Sequence, residues 1–232
     1  NNELSEICNR LGKSKIINIQ EIFGGCINNS WRIDFTDSKF FLKKNDRNQK
    51  LLKFEQHCLN DLRKYTNSQN IIIPKVINYF EYEGSEFLLL EWMNLNNVNQ
   101  KNLGAGIAEI HLNSHKKNPN KFGYPVPGFI GTTKQLEGWE NNWADCFLKL
   151  RIEPQISLLK HSSFSINLIN RIKSKIKIHL SKHNPMNCLI HGDLWSGNTS
   201  SDHLKKGIIF DPSCWWADSE IDIAMTRLFG GF

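Results

Sequence analysis

The chain has 232 residues, 40% hydrophobic and 22% charged, which suits one ordinary globular domain or two small lobes with room for a buried core. No apolar run approaches the roughly 20 residues that span a bilayer. The six cysteines include no C-x-x-C pair, so the composition argues against a membrane protein, a zinc site and a disulfide framework, and for a reduced, cytoplasmic protein. A formal net charge of +6 suits an anionic ligand. Much of it lies in "RIKSKIKIHLSKH" (171–183), where Ile172, Ile176 and His179 recur at helical spacing and no aromatic is interleaved. That run reads as a solvated amphipathic helix, so no nucleic-acid partner is expected.

In chain order, "NELSEICNRLG" predicts a helix stopped by Gly12. "KIINIQEIF", "SWRIDF" and "KFFLKK" predict three strands in an antiparallel meander, joined by the turn compositions "GGCINN" and "TDS". "KLLKFEQHCLNDLRKY" has helical periodicity, and "IIIPKVINYFEYEGSEFLLLEWM" reads as two strands around Glu83-Gly84. Beyond Met93 the patterns in "LGAGIAEIHLNSH", "EGWENNWADCFLKLRI" and "SINLINRIKSKIKIHLSKH" are helical. The expectation is an α+β chain with a strand-rich lobe over 1–93 and a helix-rich lobe over 94–232.

The chemistry concentrates in "HGDLWSGN", an H-x-D followed by Asn five residues after the Asp, the spacing of a phosphotransfer catalytic loop. In that division of labour Asp193 takes a hydroxyl proton, Asn198 offers its amide oxygen to magnesium, and His191 braces the loop. Asp211, closing the apolar run in "IIFDPS", is a second hard-oxygen metal ligand. Upstream, Gly24 and Gly25 form a turn between two strands, Lys43 or Lys44 follows on the next strand, and Glu55 lies on the next helix to hold that Lys. Alternation puts the two lysines on opposite faces, so only one can reach a nucleotide. The stretch "LLLEWMN" leaves a strand for a linker, where backbone groups of Glu91 and Met93 would read an adenine edge.

Two further constellations read as structural. His111 and His115 in "HLNSH" stand at i and i+4, but Leu112 replaces the Glu that a zinc protease needs. Trp139 and Trp143, i and i+4 on an expected helix, suit core packing.

Together "GGCINNSWRI", "FFLKKN", "FGYPVPGFIGTTKQLEGWENNWADCFLKLRIEPQ", "HGDLWSGN", "IIFDPS" and "FGGF" resemble the fructosamine kinase (ketosamine-3-kinase) family along nearly the whole chain. Aminoglycoside and choline kinases share the H-x-D and Asn but usually lack the Trp-Ser-Gly run. The resemblance implies a two-lobed protein-kinase-like fold, with a small antiparallel-sheet N-lobe for nucleotide and a mainly helical C-lobe for catalysis and acceptor. Relatives continue past "FGGF" with further helices, so the C-terminal lobe is expected to be truncated here. The resemblance further implies ATP and Mg2+ as cofactors, and phosphorylation of the 3-hydroxyl of ketosamines, free or on glycated protein lysines, leading to deglycation. It makes Asp193 the base, Asn198 and Asp211 the metal ligands, Lys43 rather than Lys44 the nucleotide Lys, Glu55 its partner, and Cys26 of the glycine turn a redox-sensitive thiol. Trp195 could stack on the acceptor and Asp218, with Glu220 and Asp222, could attract its cationic amine, although N-terminal helix capping also explains Asp218. A monomer or homodimer is expected. The alternatives are another small-molecule kinase of the same fold, of aminoglycoside or choline type, and an inactive nucleotide-binding pseudokinase module.

Overall fold

The computed structural model describes residues 2–23, 27–47, 49–67, 69–117, 120–159 and 165–231. In chain order the elements are α1 (Asn2–Leu11), β1 (Asn18–Glu21), β2 (Asn29–Asp34), β3 (Lys39–Asn45), α2 (Leu51–Arg63), β4 (Ile71–Ile72), β5 (Val76–Tyr82), β6 (Ser85–Glu91) and α3 (Gln100–His115). There follow β7 (Phe122–Tyr124), β8 (Gly128–Ile130), β9 (Thr133–Gln135), β10 (Gly138–Glu140), α4 (Trp143–Phe147), a π-helical turn (Leu148–Ile152), α5 (Glu153–Leu158) and α6 (Ile166–Leu180). The last elements are β11 (Asn187–Ile190), β12 (Thr199–Ser201), β13 (Gly207–Ile209), β14 (Trp215–Asp218) and α7 (Glu220–Met225). They group into two compact units, 1–106 with 198–212, and 107–197 with 213–232. Among the described residues no helix is long and apolar enough to cross a membrane.

The first unit is built on an antiparallel sheet in the order β1-β2-β3-β6-β5. Alternation gives its two faces different work. Ile33, Leu42, Phe80, Phe87 and Leu89 point to one face and bury Ile7 of α1. There the Phe80 and Phe87 rings stack, 5.0 Å apart and 7° from parallel. Lys43 and Leu88 belong to the opposite face, against which α2 places Leu52, Glu55, Cys58 and Leu59. The β12–β13 hairpin joins this unit because β13 runs parallel to β4 and the Gly207 amide donates to Asn70 O, 2.8 Å. Asn96 bridges to Ser201 and the Asn99 side chain caps α3 through the Asn102 amide, 3.0 Å. Residues 94–106 and 198–212 therefore pack with the strand-rich half, whereas the expected division at 93/94 put both with the helical one. The two-residue strand β4 that recruits the hairpin is too short to carry a periodic signal.

The second unit contains more sheet than its sequence pattern suggests. An antiparallel sheet runs β10-β7-β14-β11, and β8 and β9 form a separate hairpin. The expected helix over "EGWENNWADCFLKLRI" is instead β10 followed by α4, divided where the Asn142 side chain accepts from the Asp145 amide at 2.9 Å. Trp139 is on the strand and Trp143 on the helix, so they are not a helical pair. Trp143 is buried against Phe122, Phe147 and Trp215, with ring centroids 5.2–5.6 Å away. The basic run does form α6, capped by Ser165, and none of the helix is buried.

Candidate active site

Register decides between the two lysines. Lys43 pairs with Ser30 on one side and Leu88 on the other, on the face that α2 covers. Its Nζ lies 2.7 Å from Glu55 Oε1 and also contacts Asp211 Oδ1. Lys43 and Glu55 are only 4% and 7% exposed. Lys44 points the other way, to Glu3 (2.9 Å) and Asp46 (3.0 Å) at the surface. Burial pulls the Lys43 pKa down, but the Asp211 and Glu55 carboxylates outweigh it and hold the ammonium above its ordinary value. Burial pushes Glu55 up to about 7, with Asp211 adding to the rise and Lys43 opposing it.

The rise has a measurable consequence. The Glu55 pKa is higher in the folded than in the unfolded chain, so its stabilising contribution is complete below about pH 4.5 and is lost as pH rises through about 7. Glu55→Gln is expected to flatten the dependence of stability on pH over that window. Urea unfolding of both proteins at pH 5 and 8 reads it; equal slopes would refute it.

Asn198 and Asp211 stand at one end of the β12–β13 hairpin. Thr199 pairs with Ile209, Asn198 precedes Thr199, and the Phe210 amide donates to Asn198 O at 3.2 Å. Asn198 is 5% exposed, and Asp211 has a left-handed backbone, φ 57°. A neutral amide oxygen and a carboxylate at one hairpin end, with a buried ammonium beside the carboxylate, fit a hard divalent cation and its phosphate ligand.

The loop that carries His191 and Asp193 belongs to the second unit. β11 delivers His191 and Gly192 to the fully buried Asp222, whose carboxylate accepts from both amides at 2.9 and 2.8 Å and bonds His111 Nε2 at 2.9 Å. Burial would raise the Asp222 pKa, but His111, His191 and the Gly192 amide outweigh it and hold the carboxyl below the usual range. Gly192 adopts φ +79°, and a Cβ there would strike Ser213 O. His191 closes the loop on both sides: its carbonyl accepts from the Ser213 amide at 2.8 Å and its Nδ1 from the Asp193 amide at 3.3 Å. Asp193 is thereby presented half-buried from a fixed backbone. The Trp195 amide donates to Asp193 O at 3.1 Å. The half-buried Trp195 ring covers Gly197 and meets Phe229 edge-on, centroids 5.3 Å apart.

Other expected positions separate. Glu91 ends β6, where its amide donates to Lys75 O (3.0 Å) and its carboxylate accepts from the Lys75 amide (2.6 Å); Met93 follows in the half-buried linker. Gly24, Gly25 and Cys26 lie outside the described residues. Asp218 is 5% exposed, with Oδ2 2.7 Å from His183 Nε2 and Oδ1 accepting the Glu220 amide at 3.0 Å. Asp222, in the same acidic cluster, anchors the His191–Asp193 loop through the His191 and Gly192 amides. The available signals were its place between Ile221 and Ile223, and His111 between Ile110 and Leu112.

These features, with the fold, define a kinase-like phosphotransferase. The chain shares its fold with an aminoglycoside phosphotransferase solved in ternary complex with ADP and hygromycin B (TM-score 0.64, 12% identity, covering 97% of this chain and 76% of that one). The chain belongs to the fructosamine kinase family, whose sequence profile matches residues 2–232. It is similar to a solved Haemophilus somnus protein described as a candidate fructosamine-3-kinase (TM-score 0.85, 28% identity, covering 99% and 77% of the two chains). It is also 33% identical over 213 residues to a "probable ketoamine kinase" of Vibrio parahaemolyticus, covering 90% of this chain and 72% of the relative.

Proposed function

We propose that the protein is an ATP-dependent kinase that phosphorylates the 3-hydroxyl of ketosamines, small or on glycated protein lysines, and so starts deglycation. The observation that carries the reading is the buried Lys43–Glu55 pair with Asp211 on the same ammonium. A Lys held charged and immobile by carboxylates is suited to bind nucleotide phosphates. The family membership and the ADP held by the aminoglycoside enzyme of the same fold support ATP as donor and a ketosamine as acceptor. Family membership supports phosphate contacts for Gly24 and Gly25 and a redox-sensitive thiol for Cys26, three residues outside the described ones, and the 91–93 backbone takes the adenine edge. Asn198 and Asp211 would hold Mg2+, which when bound neutralises phosphate oxygens. Asp193 accepts the proton of the 3-hydroxyl as its oxygen bonds to the γ-phosphorus and the bond to ADP breaks. Trp195 offers its ring to the carbon face of the acceptor.

The test is ADP release with fructoselysine and ribuloselysine beside choline and an aminoglycoside panel. Turnover with the ketosamines alone, and phosphate on O3 by NMR, is expected. Turnover only with the other acceptors would replace the ketosamine reading. ATP-dependent thermal stabilisation without turnover of any acceptor would mark an inactive nucleotide-binding module.

A further inference from the structure

The β2–β3–β6 register puts a second rung on the Lys43 face of the sheet. Ser30 pairs with Lys43 and Lys43 with Leu88; two residues on, Arg32 pairs with Phe41 and Phe41 with Leu90. Paired residues share a face, so the Arg32 rung lies about 7 Å along the strands from the lysine, toward the end of β6. Trp92, just past that end, lies beneath Arg32, the guanidinium carbon 5.0 Å from the ring centroid. Trp92 is itself fixed: its Nε1 donates to Asn94 Oδ1 at 3.0 Å, and its ring lies 6.5 Å from that of Phe41. It also stands between Glu91 and Met93, where the proposed function puts the adenine edge.

What Arg32 can offer a ligand is restricted. Its Nε and Nη2 both donate to Asp34, at 2.7 and 2.8 Å, a bidentate fork that occupies the side edge of the guanidinium, pairs its charge and leaves only the Nη1 end free for an anion. The planar face remains, and a guanidinium plane stacks on aromatic rings. Asp34 is held below the usual carboxylate range, first by the hydrogen bond from Arg32, so the fork persists at neutral pH.

We infer that the Arg32–Trp92 stack is the platform on which the purine base of the nucleotide packs, and that Arg32 selects the donor by its base and not by its phosphates. The inference rests on the kinase reading above. The test compares ATP with inorganic tripolyphosphate, each with Mg2+, by calorimetry on wild type, Arg32→Ala and Arg32→Lys, with thermal melts of the free proteins as a check on folding. Arg32→Ala is expected to weaken ATP about tenfold and to leave tripolyphosphate within twofold. Arg32→Lys, which keeps charge and loses the plane, is expected to fall close to Arg32→Ala. An equal loss for both ligands, no loss for either, or a wild type that binds ATP no tighter than tripolyphosphate would overturn the platform. A wild type that prefers ATP through Arg32 but phosphorylates no acceptor would leave the platform standing and remove the kinase reading.

Discussion

Asp193→Asn is expected to lower kcat by roughly 10²- to 10⁴-fold, with the ATP dissociation constant within about twofold of wild type. The substitution keeps size and backbone. The Asp193 amide still donates to His191 Nδ1 and its carbonyl still accepts from the Trp195 amide. What disappears is a carboxylate able to take a proton. Lys43, Glu55 and Asp211 are untouched, so nucleotide binding should persist. Single-turnover rates and ATP titrations on one preparation separate the two. Unchanged turnover would remove Asp193 from the chemistry; loss of turnover and of nucleotide affinity together would show a structural role.

Asp222→Ala should have the largest effect on stability. It strips the acceptor from two buried amides and from His111, and each orphaned buried donor costs about 1–3 kcal/mol, so a loss of about 3–5 kcal/mol is expected. The pH dependence has a defined sign. The folded-state pKa of Asp222 lies below its ordinary value of 3.8, so its stabilisation is present above about pH 3.8 and is lost as pH falls further. Acid titration followed by tryptophan fluorescence should show this limb in wild type and a shallower one in Asp222→Asn. The window is distinct from that of Glu55, whose contribution changes between about pH 4.5 and 7 in the opposite direction. Identical acid limbs would refute the assignment.

Much of the candidate site was legible because its signals are local. The H-x-D-x-x-x-x-N spacing lies within eight residues, and the Lys43–Glu55 separation is one strand, a loop and the start of a helix. Alternation showed that only one of Lys43 and Lys44 could face the nucleotide, and the register and their ion pairs show which face each takes. Long-range pairings were not legible. Nothing near Ile71 announces a parallel partner at Gly207, so the grouping of the hairpin that carries Asn198 and Asp211 with residues 1–106 could not be read from the sequence. Asp222 read as one acid among three, because the amides and the histidine that bury it lie 30 to 111 residues away. The helix expected through Trp139 failed for a nearer reason: Asn141 and Asn142 interrupt the period, and Asn142 begins a new helix by capping it.

The H-x-D-x-x-x-x-N stretch is divided between Gly197 and Asn198, with Asp193 in one folded body and Asn198 and Asp211 in the other. Damage to one body need not disable the other. Changes beneath Asp193 should leave an intact nucleotide binder that reacts slowly, and changes around β4 should weaken the hold on the donor while the proton acceptor stays anchored. Natural variants could therefore be sorted by whether they spoil grip or turnover.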